Sequence, residues 1–170
     1  MERNGFKVKH FIEAGRLNSP RGIKGEIRFT CYCDSPEFLR GVKTLYLDEK
    51  GEKSLEVVSY RPTIPTLIFK GYESRENAYL LAGRTVYFNR NDVALPDRAF
   101  YFCDLIGEDA YDGQTGKKIG VVKDVEEISG KFYYIITGEK SYRVPAVEDF
   151  VPFASPGEGV KVKGIEELEI

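Results

Sequence analysis

The stretch "GEIRFTCYC", residues 25–33, constrains the fold more than any other. Ile27, Phe29, Cys31 and Cys33 alternate with Glu26, Arg28, Thr30 and Tyr32. A period of two places one set of side chains on a buried face and the other in water, which is a half-buried β-strand. Upstream, "KHFIEAGRL" reads as its partner strand. Between them "NSPRGIKG" holds Pro20, Gly22 and Gly25, the chemistry of a turn. Gly22 and Gly25 supply backbone conformations that other residues resist.

The same punctuation continues. In "DSPEFLRG", Asp34 or Ser35 caps a short helical turn, Pro36 opens it and Gly41 ends it. "TLYLDEKGEKSLEVVSYR" reads as a hairpin about Lys50 and Gly51, and "PTLIFKGY" as a further strand. In "SRENAYLLAG", Ser74 caps a short helix, Ala78, Leu81 and Ala82 line one face, and Gly83 stops it. "RTVYF" closes the set. About six strands and one or two short helices, with no β-α-β rhythm, predict an antiparallel barrel.

"NRNDVALPDRAF" lacks periodicity and contains Pro96, so a boundary is expected at residues 92–98. Beyond it, "EDAY" and "KKIGVVKDV" flank a "DGQTG" turn, and "GKFYYIITG", "KSYRVPA" and "GVKVKG" continue the strand pattern. The expected class is all-β: a barrel over residues 1–91, a linker over 92–98 and a second small barrel over 99–170. Two domains from 170 residues would each bury only about 60–65% of their unfolded surface, which calls for compact cores.

Charge divides along the same line. Residues 1–91 hold 16 Lys and Arg against 11 Asp and Glu, whereas residues 92–170 hold 9 against 16. Opposite signs on two halves point to partners of opposite sign. No apolar run approaches the ~20 residues of a membrane span. Three cysteines, an odd number, and no apolar leader make a disulfide framework unexpected and a cytoplasmic location expected.

Little in the chain serves catalysis. The single histidine, His10, could activate Cys31 or Cys33. The two cysteines share the apolar face of one strand, however, so small core residues are the favoured reading. Cys31, Cys33, His10 and Cys103 lack the paired spacing of a structural zinc site. "GQTGKK" misses the phosphate-loop pattern, and no spacing among Glu126, Glu127, Glu148 and Asp149 singles out an acid–base pair. No catalytic residue, cofactor or metal is therefore expected, nor a membrane or small-molecule partner. A thiol-dependent enzyme is the alternative.

Two surfaces remain. Arg16, Arg21, Lys24 and Arg28 surround one glycine-containing turn, either as donors to phosphates or as an ordinary solvated turn. Phe100, Tyr101 and Phe102 are consecutive. On an extended segment they cannot all enter one core, so at least one is expected to be exposed, as a protein anchor or in packing between the two halves.

Taken in order, these stretches resemble the ribosome maturation factor RimM family. "GRLNSPRGIKGEIRFTCYCDSPEFL" is similar to the family's N-terminal signature, with Arg21 where the family's turn usually has histidine. "FKGYESRENAYLLAGRTVYF" resembles its Ala-x-x-Leu-x-Gly helix, and "FYFCDLIGEDAYDGQTGKKIGVVKDVEE" the start of its PRC-barrel, with Phe100 in place of the first of two tyrosines. "YRVPAVEDFV" resembles a later strand of that barrel, whereas the tail matches only loosely. The resemblance implies a non-enzymatic assembly factor that binds the immature small (30S) subunit at its head, contacts the head ribosomal protein S-nineteen and assists maturation of the 3′ domain of 16S rRNA. The charge division fits this implication: the basic turn is expected to contact RNA, and Phe100, Tyr101 and Phe102 the ribosomal protein. A PRC-barrel interaction module of another complex is the rival within that resemblance.

Overall fold

The computed structural model describes residues 2–3, 5–7, 9–32, 36–95 and 100–170. Two compact units emerge, His10–Ala94 and Met1–Lys9 together with Leu95–Ile170. Strands β1 (Glu2–Arg3) and β2 (Phe6–Lys7) pair only with each other.

The first unit is a closed six-stranded barrel. Its strands are β3 (Phe11–Arg21), β4 (Glu26–Cys31), β5 (Thr44–Tyr46), β6 (Ser54–Arg61), β7 (Thr66–Phe69) and β8 (Thr85–Asn89). The order is β3-β4-β7-β6-β5-β8, and β8 pairs back with β3. Alternation decides what lies inside: Leu17, Ile27, Phe29, Leu45, Leu67, Phe69, Val86 and Phe88 are all buried. Closure leaves the sheet without free edges. A turn of 3-10 helix, Pro36–Leu39, follows β4; Cys33, Asp34 and Ser35 lie outside the described residues.

Helix α1 (Arg75–Tyr79) is shorter than the sequence suggests. The Asn77 amide donates to the Ser74 hydroxyl (3.2 Å), as an N-cap should. Ala78 and Leu81 are buried, but Ala82 is only half-buried. From Leu80 on, amides reach back three residues, to Asn77, Ala78 and Tyr79, so the last turn tightens out of α-geometry. In the β5–β6 hairpin the Asp48 carboxylate accepts from the amides of Lys50, Glu52 and Lys53. Gly51 lies under Phe11: a Cβ there would stand 2.2 Å from the ring.

The second unit is one six-stranded sheet: β9 (Asp109–Asp112), β10 (Lys118–Ile128), β11 (Lys131–Thr137), β12 (Ser141–Pro145), β13 (Phe153–Ser155) and β14 (Gly159–Val162). The order is β12-β11-β10-β9-β14-β13. Strand β13 was not evident in the sequence, and β14 joins β9 in parallel. Ala110, Val122, Tyr134, Ile136, Val144, Val160 and Val162, from five of these strands, share one buried core, so the sheet wraps upon itself. The C-terminal segment covers the β12 edge: Arg143 N–H donates to Leu168 O (3.0 Å) and Ile170 N–H to Ser141 O (2.9 Å). Among the described residues no helix is long and apolar enough to cross a membrane.

Candidate nucleic-acid and protein interfaces

The β3–β4 hairpin sets its basic residues outward because its inward positions are taken by the core. Arg21 pairs with Glu26, Pro20 with Ile27, Leu17 with Phe29 and Arg16 with Thr30. A bulge between Leu17 and Pro20 keeps Arg16, Ser19 and Arg21 all on the solvent side. Arg16, Arg21, Lys24 and Arg28 are exposed along this one two-stranded ribbon. Arg28 donates to the Ser19 hydroxyl (3.1 Å) and Asn18 to the Thr30 hydroxyl (2.8 Å), which ties the two strands together on the outside.

Residues 22–25 form the turn. Gly22 has φ +73° and open space around it. Gly25 has φ +80°, and a Cβ there would lie 2.2 Å from the Tyr72 carbonyl oxygen, so the turn rests against the backbone leading into α1.

Between Arg16 and Arg28 the one acidic residue is Glu26. The Thr66 hydroxyl donates to its carboxylate at 2.6 Å. That bond holds the Glu26 carboxyl below its ordinary value, against the opposing effect of burial, and the charges of Arg61 and Arg21 add to it. Arg61 on β6 forms the ion pair, at 3.1 Å. Sequence reading missed Arg61, because it reaches Glu26 only through the pairing of β7 with both β4 and β6. Between Arg16 and Arg28, with Arg61 beside them, five cations thus stand against the one carboxylate of Glu26, a polyanion-facing surface.

The aromatic segment behaves differently. Phe100, Tyr101 and Phe102 are each half-buried, and none is exposed. The expectation of an extended segment with an outward ring does not hold, because Phe102–Leu105 curls into a turn of 3-10 helix. The Tyr101 amide donates to the Asp104 carboxylate (3.1 Å) at its start. Phe102 packs on Phe132, ring centroids 4.9 Å apart, and edge-on against Tyr134 at 6.0 Å. Phe100 also packs on this core, and the Tyr101 hydroxyl oxygen is shielded from solvent. Burial pushes the Tyr134 phenol well above its usual range.

The thiol alternative finds no geometry in the described residues. Cys31 is half-buried opposite Gly15. His10 is exposed and precedes Phe11, on which its ring stacks edge-on, 5.0 Å away. Five residues of strand separate Gly15 from His10, about 16 Å at ~3.3 Å per residue. Cys33 lies outside the described residues. No group of three or more His, Cys, Asp or Glu among the described residues is placed to hold a metal ion. Gly113 and Gly116 lie in the β9–β10 turn, and a strand follows them.

A barrel followed by a strand-built second unit defines a class of two-domain β-protein, and family models resolve which one. Residues 12–93 match the RimM N-terminal domain and residues 97–166 the PRC-barrel domain. The chain is 31% identical over 151 residues to the ribosome maturation factor RimM of Clostridioides difficile, covering 86% of this chain and 87% of that one. It is 33% identical over 144 residues to that of Prosthecochloris aestuarii, covering 81% and 85%. A crystal structure described as a 16S ribosomal RNA processing protein RimM, from Pseudomonas aeruginosa, is similar at 21% identity and a TM-score of 0.43, over 93% of this chain and 99% of that one. The chain belongs to the ribosome maturation factor RimM family.

Proposed function

We propose that this protein is a non-catalytic, cytoplasmic assembly factor that binds the immature small (30S) subunit at its head and assists 16S rRNA processing and assembly of the 3′ domain. Arg16, Arg21, Lys24 and Arg28 grip RNA phosphates. The region of Phe100, Tyr101 and Phe102 docks a head ribosomal protein of the S-nineteen family. The observation that carries the reading is the outward ribbon of four cations, countered between Arg16 and Arg28 only by Glu26, which is already engaged by Thr66 and Arg61. The excess of acid over base in residues 92–170 suits a basic protein partner. Two weak contacts on one chain gain avidity from effective concentration; of the expected linker over residues 92–98, residues 96–98 lie outside the described residues.

Sedimentation of the tagged chain tests this. It is expected with free pre-30S particles and not with 70S ribosomes; equal sedimentation with both, or with neither, overturns the reading. For the protein contact, Tyr101→Ala is expected to weaken binding to the isolated ribosomal protein by about 2 kcal/mol. Unchanged binding by a normally folded variant moves the anchor elsewhere.

A further inference from the structure

At the apex of the basic hairpin stands a residue that the electrostatic account leaves unused. Ile23 lies between Gly22 and Lys24, and 81% of its surface is exposed, the largest fraction among the exposed large apolar side chains described. Turn apices favour Gly, Asn, Asp, Ser and Pro, so a β-branched aliphatic there serves no turn geometry. The turn already has what it needs in the positive φ of Gly22 and Gly25. Nor does Ile23 contribute to the core, being in water. The base of the turn is fixed, because Gly25 rests against the Tyr72 backbone. Arg21 and Lys24, both exposed, flank it.

We infer that Ile23 is an apolar wedge for RNA: the flanking cations bring the tip to phosphates, and the isoleucine packs against unstacked bases. This rests on the reading that the hairpin binds RNA, and adds the class of RNA feature it recognises. Cations supply attraction indifferent to sequence and structure. An apolar side chain gains only where it meets an apolar surface, and base faces are the apolar surfaces RNA offers. In a continuous A-form helix those faces are stacked and the deep groove excludes side chains. The ligand is therefore a loop, bulge or junction whose bases can be splayed out to meet a protein side chain.

The experiment measures dissociation constants over a salt series for two probes, a transcript of the 16S rRNA 3′ domain and a fully paired RNA duplex. Four proteins are compared: the native chain, Ile23→Ser, Arg21→Ala with Lys24→Ala, and Val58→Ser. Val58, 55% exposed on β6, controls for loss of an exposed aliphatic elsewhere. Ile23 makes no core contact, so a folded Ile23→Ser is expected, checked by circular dichroism. On the transcript it is expected to bind about tenfold more weakly with the salt slope unchanged, the burial of one aliphatic side chain being forfeited. On the duplex it is expected to match the native chain, as Val58→Ser does on both probes. The basic double variant is expected to lower the slope on both.

If Ile23→Ser binds the transcript as the native chain does while the double variant lowers the slope, the wedge is overturned and the RNA reading survives. If the double variant leaves slope and affinity unchanged, the RNA reading fails and the wedge with it. An equal loss on duplex and transcript overturns base insertion.

Discussion

The β3–β4 hairpin and the Phe100–Phe102 segment were the two surfaces the sequence marked for partners, and the fold treats them in opposite ways. On the hairpin the core takes Leu17, Ile27 and Phe29, and the cations between them face water. Removing a cation there disturbs no packing. In the aromatic segment Phe100 and Phe102 pack on the second unit's own core. A residue there serves stability first, and any partner meets only what remains exposed. A loss of binding after substitution therefore carries different meaning in the two places. At the hairpin it reports a contact, whereas at the aromatic segment it must first be separated from unfolding.

The largest expected effect lies within the hairpin itself and limits this contrast. Gly25→Ala must place a side chain in the left-handed region, which costs about 1–2 kcal/mol, and drive it against the Tyr72 carbonyl oxygen. Destabilisation of about 3 kcal/mol or more is expected by urea denaturation. Gly22→Ala meets open space and should lose about 1 kcal/mol from backbone strain alone. Equal losses at both glycines would show that the turn does not rest on the segment before α1. Next in size, Phe102→Ala should lower stability by about 2–3 kcal/mol, toward the low end for a core phenylalanine because the ring is half-buried. An unmoved urea midpoint would return this ring to the list of pure docking residues and erase the contrast.

What could be read in the sequence was what neighbouring residues decide. Alternation at Ile27 and Phe29, the Ser74 cap and the hairpin about Gly51 are local, and each stands in the fold. Pairings between distant segments were not legible. The parallel join of β14 to β9 links Val160 with Ala110, and no local pattern announces it. Phe11 over Gly51 likewise arises only when the barrel closes, and Arg61 beside Glu26 only when β7 pairs with both β4 and β6. The aromatic segment misled for a related reason: three consecutive rings suggest an extended strand, but the Tyr101 amide bonded to Asp104 bends the chain into a turn. Ile23 was visible as a residue from the start, but its exposure follows from the turn's placement and not from its type.

Smaller in energy, and sharper as a test of the hairpin, is the double variant Arg21→Ala with Lys24→Ala. Two lost phosphate contacts should lower the salt slope of pre-30S binding by about 1.4–1.8. Stability should move by less than about 0.5 kcal/mol, since both side chains are exposed. A drop of several kcal/mol in stability would show that the hairpin, like the aromatic segment, mixes packing with recognition.

The smallest effect concerns Glu26, which joins the ribbon to the rest of the barrel. Its carboxyl titrates below the ordinary value of 4.5, chiefly because the Thr66 hydroxyl donates to it, with Arg61 and Arg21 adding their charge. A carboxyl whose folded pKa is depressed binds protons more readily in the unfolded chain. Its contribution to stability is therefore full above the unfolded pKa and is lost as pH falls through the folded one. The pair with Arg61 is partly solvated, so the amount is under about 1 kcal/mol. Glu26→Gln keeps an acceptor for Thr66 but abolishes the titration. Urea midpoints at neutral pH should then place the native chain above the variant, and the difference should shrink as pH falls below 4.5. A difference independent of pH would mean that Glu26 acts through its shape and hydrogen bond alone, leaving the cations of the ribbon to repel one another unrelieved.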